Sequence, residues 1–108
     1  MKYQTFTINN LEKQQGGEGY REFLRRDGMA LGLYTLPAGT TDHQHPHAAD
    51  EVYYVVSGRA VLRIEDARVD VGAGTVVSVD RGVDHQFTDI VEDLTLLVTF
   101  APPTTPEV

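Results

Sequence analysis

Arg59-Ala60-Val61-Leu62-Arg63-Ile64-Glu65 alternates with a period of two. Ala60, Leu62 and Ile64 share one face of an extended strand, and Arg59, Val61, Arg63 and Glu65 share the other, so one side is expected to be buried and the other largely wet. Similar short runs flank it on both sides: Met29–Leu36, Val52–Ser57, Arg68–Val71, Thr75–Val79, His85–Thr88 and Leu94–Ala101. Gly58, Gly72, Gly74 and Gly82 read as the turns between them. Short alternating strands punctuated by glycine and aspartate predict an all-β fold, a small sandwich or barrel. Asn9–Gln15 reads as a short helix capped by Asn9 or Asn10 and ended by Gly16-Gly17. The prolines at 102, 103 and 106 stop the last strand near Ala101, because proline has no N–H for a ladder.

The frame holds one domain, residues 1–108, with an N-terminal arm over 1–20 and a proline-rich tail over 102–108. A chain of 108 residues, 41% hydrophobic and 23% charged, is long enough for a single core. It has no cysteine, so disulfides, thiolate ligands and cysteine nucleophiles are excluded. A formal charge of −7 argues against nucleic acid or an anionic membrane surface as a partner. Neither a signal-like apolar start nor a membrane-length apolar run is present, so the expected location is the cytoplasm. Val52-Tyr53-Tyr54-Val55-Val56 is apolar on both faces, and a second copy of the chain covering Val52, Tyr54 and Val56 predicts a homodimer, with a wholly intramolecular sandwich as the alternative.

Upstream of the clearest strand lies Gly39-Thr-Thr-Asp-His-Gln-His-Pro-His-Ala-Ala-Asp-Glu51, which contains three of the four histidines. His45 and His47 are two apart and leave one face of an extended segment together, about 6 to 7 Å apart along the chain. Glu51 adds an anionic oxygen donor four residues on, and His85 is the one histidine outside the cluster. The simplest reading is a mononuclear divalent metal site.

The gaps carry more than the residue types. From Gly39, five residues lead to His45, one to His47, three to Glu51 and six to Gly58; later, from Gly74, five lead to Asp80, one to Gly82, two to His85 and three to Asp89. In this the chain resembles the cupin family. The first stretch agrees with the family's first motif at every specified position, and the second agrees in spacing and in Gly74, Gly82 and His85. It departs at Asp80, where the family usually has proline, and at Asp89, where it usually has asparagine. The resemblance implies a small antiparallel jelly-roll β-barrel, His45, His47, Glu51 and His85 as ligands of one divalent ion, and Gly58 at a turn. The ion could be Fe2+, Mn2+, Ni2+, Co2+ or Zn2+, since these donors accept each of them.

Three neutral imidazoles and one carboxylate leave coordination positions open on an ion that prefers five or six ligands, as catalytic sites require. His43 lacks the gaps of the 45/47 pair and reads as a rim residue. Tyr53 and Phe87 are in phase with Glu51 and His85, so they are expected beside the metal, with Leu33, Val98 and Phe100 as further wall residues around a small-molecule substrate. Arg21, Arg25 and Arg26 read as a solvated basic patch. The leading expectation is a small metal-dependent oxidoreductase, dioxygenase-like, acting on an oxygen-chelating organic substrate. The alternatives are Lewis-acid isomerisation or epimerisation of a sugar or keto acid, and a non-catalytic metal- or ligand-binding module. An inward acid or base near the metal discriminates between them: its presence favours the isomerase.

Overall fold

The computed structural model describes residues 2–43 and 46–103. Its elements are α1 (Ile8–Gln15), β1 (Gly19–Arg25), β2 (Ala30–Leu36), β3 (Asp50–Ile64), β4 (Ala67–Gly72), β5 (Val76–Val79) and β6 (His85–Ala101). All strand pairs are antiparallel, in the order β1-β2-β6-β3-β4, with β5 paired to β3. The expected all-β, jelly-roll architecture is therefore present, although the hydrogen-bonded sheet runs from edge to edge without closing.

Two expected pairs of strands are each a single long strand. Val52–Ser57 and Arg59–Glu65 fuse into β3, and His85–Thr88 and Leu94–Ala101 fuse into β6. Gly58 is thus a position inside a strand, not a turn between strands. Its φ is 95°, and a Cβ there would lie 2.2 Å from the Asp93 carbonyl oxygen, so only glycine admits this approach. Register breaks at Val55/Ser57, Ser57/Arg59 and Arg59/Val61 surround it, and such bulges bend a strand and sharpen its twist.

The bend is large. Glu51 and Ile64 are 13 positions apart, which is about 43 Å in a straight strand. His85 is the ladder partner of Ile64, yet its Nε2 lies 3.0 Å from Glu51 Oε2. The β3–β6 ribbon is therefore doubled back on itself about Gly58, bringing its two ends face to face.

Inside the doubled ribbon, Tyr53, Val55, Ala60, Leu62, Phe87, Leu94, Leu96, Val98 and Phe100 form the core with Tyr34, Leu36, Val71 and Val79. Full burial of each large apolar side chain contributes roughly 1.5–3 kcal/mol. Ile64 is only partly buried, because it sits where the ribbon ends.

The N-terminal region departs from expectation. The helix begins at Ile8 and is capped by Thr7, whose Oγ1 accepts from Asn10 N at 3.3 Å, so neither Asn9 nor Asn10 is the cap. Gly16 closes it in the left-handed conformation. Residues 19–25 form an edge strand that the sequence reading did not place, Arg21, Arg25 and Arg26 are exposed as read, and a bulge between Glu22 and Leu24 disrupts that edge.

Candidate metal centre

Two loops bring the donors together. Gly82 N donates to the His47 carbonyl at 2.9 Å, and Arg81 N donates to Asp50 Oδ1 at 3.0 Å. These bonds join the loop ahead of β6 to the loop ahead of β3. Strand period does the rest: Glu51 and Tyr53 stand opposite Phe100 and Val98 on the inner face, and His85 and Phe87 begin β6 at the other end of the doubled ribbon.

Glu51, His47 and His85 are all buried. Glu51 Oε1 meets His47 Nδ1 in a short contact, and Oε2 accepts from the Tyr53 hydroxyl at 2.6 Å while lying 3.0 Å from His85 Nε2. The Tyr53 oxygen is itself 2.9 Å from His85 Nε2. On its far side, His85 Nδ1 lies 2.9 Å from the Val83 carbonyl, which can only accept, so Nδ1 carries a proton and Nε2 is the atom turned inward.

Burial alone would raise the Glu51 carboxyl, but its bonds with His47, His85 and Tyr53 outweigh that and hold it at about 2. Burial pulls His85 down, and the Glu51 carboxylate and the Val83 carbonyl more than reverse it, so His85 lies above its ordinary value. Glu51 is an anion across the physiological range, facing two imidazoles.

As they stand, no group of three or more His, Cys, Asp or Glu side chains among the described residues is arranged around a common ion position. His47, Glu51 and His85 bond one another instead. Their chemistry nevertheless fits a divalent ion: an ionised carboxylate, an imidazole whose outer N–H is fixed by a carbonyl, and a second imidazole whose Nε2 is buried with no hydrogen-bond partner. A divalent ion held here would displace any proton these donors carry, the usual coupling of metal uptake to proton release. His45 lies outside the described residues.

Of the wall residues, Tyr53, Phe87, Val98 and Phe100 face the centre and are fully buried; the Tyr53 and Phe87 rings meet edge-on at 5.1 Å, and His47 meets Phe100 at 4.9 Å. Leu33 does not belong with them. It pairs with Leu97, whereas Tyr34 pairs with Leu96 and Gly32 with Val98 on the site's face, so Leu33 points to the opposite side of the sheet, where α1 packs against β2. His43 is exposed and lines a cavity of about 170 Å³ with Glu18, Gly19, Tyr34, Leu36 and Thr41. Asp80 is exposed, and Asp89, also exposed, pairs with Arg68 at 2.8 Å, so neither departure from the family pattern touches the donors described.

The family model for the cupin domain matches residues 32–100. The chain belongs to the cupin family. An uncharacterized protein of Streptomyces coelicolor, SCO3923, is 49% identical over 100 residues, spanning 91% of this cupin and 95% of the relative. Among solved structures, BH2720 from Bacillus halodurans superposes with a TM-score of 0.77 at 18% identity, over 97% of this cupin and 86% of that chain. The DMSP lyase DddQ from Ruegeria pomeroyi DSS-3 gives a TM-score of 0.67 at 25% identity, over 77% of this cupin but 42% of that chain.

Two residues of the site region escaped the sequence reading. Asp42 is buried, accepts from the Tyr34 hydroxyl at 2.6 Å and from Phe87 N at 2.9 Å, and so ties the histidine loop to β6 two residues beyond His85. Tyr20 reaches the same inner face from β1. Neither has a local signal, since the partners of each are distant in sequence.

Among the described residues, no helix is long and apolar enough to cross a membrane.

Proposed function

We propose that this cupin binds one divalent metal ion through His45, His47, Glu51 and His85 and catalyses a proton-moving reaction, isomerisation or epimerisation, on a small sugar or keto acid. The observation that carries the reading is Tyr53. Its hydroxyl lies 2.6 Å from Glu51 Oε2 and 2.9 Å from His85 Nε2, so an exchangeable proton stands inside the donor cluster. An oxygenase needs no such group, and its presence turns the balance away from the dioxygenase expected from the sequence.

His45, His47, Glu51 and His85 would hold the ion, and the chemistry it would supply when bound is Lewis-acid polarisation of a substrate carbonyl. The Tyr53 hydroxyl, which donates to Glu51 Oε2 in the folded chain, would turn its proton to the substrate oxygen as charge develops there, while the proton leaving the neighbouring carbon would pass to water. Phe87 and Phe100 keep the surroundings apolar, which strengthens every hydrogen bond there.

The test is solvent-proton exchange. Zinc- or manganese-loaded protein incubated in D2O with a panel of ketoses and keto acids is expected to label a carbon next to the carbonyl, seen by NMR, and Tyr53→Phe is expected to reduce labelling at least 100-fold. Oxygen uptake by the iron-loaded protein without such labelling would instead support the dioxygenase. Inactivity in both assays with metal still bound would leave a binding module.

A further inference from the structure

Tyr20 lies on β1, ahead of the stretch matched by the family model. Its ladder partner is Tyr34, but its ring does not stand over that residue. It leans along β2 across Gly32: a Cβ built at Gly32 would come within 2.2 Å of Tyr20 Cζ and 2.3 Å of the hydroxyl oxygen. The absence of a side chain at residue 32 is what admits the ring. Leaning this way carries the hydroxyl from the row of Tyr34 and Leu96 toward the rows of Val98 and Phe100, opposite Tyr53 and Glu51. The ring meets Phe100 edge-on at 5.7 Å, and Phe100 in turn meets His47.

At the end of that reach the hydroxyl is buried with no hydrogen-bond partner. His47 Nε2 is the other buried side-chain atom among the described residues in that condition. Two polar groups that lack partners in the folded chain therefore flank one phenylalanine beside the centre. A phenylalanine at 20 would supply the same packing without leaving a hydroxyl unsatisfied. Burial first, then the carboxylates of Glu22 and Glu51, push the phenol upward against the lowering by Arg25, so it keeps its proton and is a donor.

We infer that Tyr20 is a ligand-recognising residue of the centre, its hydroxyl donating to an oxygen of the small molecule bound beside His47, Glu51 and His85, with Gly32 as the notch that lets it reach. The inference rests on reading the centre as a metal and ligand site.

The full chain loaded with Co(II) and titrated with acetohydroxamate, an oxygen chelator, tests it by visible absorption. Wild-type protein is expected to bind one Co(II) and to change spectrum as the hydroxamate binds. Tyr20→Phe is expected to keep Co(II) affinity within twofold and to weaken hydroxamate binding about tenfold, the loss of one hydrogen bond from a buried donor. Gly32→Ala, which displaces the ring, should do the same. Equal hydroxamate binding by wild type and Tyr20→Phe would overturn the inference, as would a wild-type Co(II) spectrum that hydroxamate leaves unchanged. Loss of Co(II) itself in Tyr20→Phe would make the residue structural and overturn it too. Failure of the underlying site has a separate signature: wild type that binds no Co(II), or His85→Ala that binds it as well as wild type.

Discussion

The Tyr34 hydroxyl donates to Asp42 Oδ1 at 2.6 Å, while Asp42 Oδ2 accepts from Phe87 N at 2.9 Å, so one buried carboxylate joins β2, the histidine loop and β6. Gln86 Nε2 reinforces the join by donating to the Asp42 carbonyl at 2.8 Å.

Asp42→Ala is expected to destabilise the fold by about 3 kcal/mol, because it strands the Tyr34 hydroxyl and the Phe87 N–H without their acceptor. Urea titration followed by circular dichroism measures this. Tyr34→Phe in the Asp42→Ala background should recover part of the loss by removing one stranded donor, and a double variant no more stable than Asp42→Ala would contradict the account.

Gly58→Ala is expected to cost about 2 kcal/mol or more, since its Cβ meets backbone atoms of Asp93 and Leu94 that cannot swing aside. Gly74, with a similar positive φ of 90°, has nothing within 4 Å of a built Cβ. Gly74→Ala should therefore be the milder of the two in a thermal melt, and equal costs would show that backbone strain, not the Asp93 contact, sets the cost.

On the proposed reading of the centre, His47→Ala and His85→Ala each lower Mn2+ affinity at least 100-fold in calorimetric titration, while the far-UV spectrum stays β-rich. Chelator should lower the melting temperature of the metal-loaded wild type and leave both variants unmoved. A wild type indifferent to chelator would count against the metal.

The proposed homodimer uses the outer sheet face. Val52, Tyr54 and Val76 are 39%, 42% and 62% exposed, and the register places Val76, Tyr54 and Leu97 in one row across β5, β3 and β6. Light scattering at micromolar concentration is expected to give twice the mass of 11.9 kDa. Tyr54→Asp should give a folded monomer, because a charge on that row cannot be covered by an apolar partner.

Alternation made the inner faces of β3 and β6 legible, since Tyr53, Val55, Leu62, Phe87 and Phe100 follow the period of two into the core. Motif spacing gave the candidate donors, and of these the structure brings His47, Glu51 and His85 into contact. Glycine misled where it marks close approach and not reversal of the chain: Gly58 sits within a strand because the Asp93 backbone presses against it. β1 was hidden because Gly19–Arg25 is half-buried on both faces and studded with charge, so no two-residue pattern emerges. Leu33 was assigned to the wrong face because a sequence states that a residue is apolar but not which side its helix or sheet neighbour covers. Asp42 could not be read at all, its partners being 8 and 45 positions away.

The doubling of the β3–β6 ribbon has a consequence for when, as well as where, the centre exists. The β3–β4 hairpin closes through near neighbours, Ile64 with Ala67, and can form early. Contact between Glu51 and His85 must wait until the whole ribbon has bent about Gly58 and the intervening 33 residues have been gathered in. Anything that binds across those two residues therefore binds a finished chain and no earlier one, and occupancy of the centre becomes a direct reporter that folding is complete.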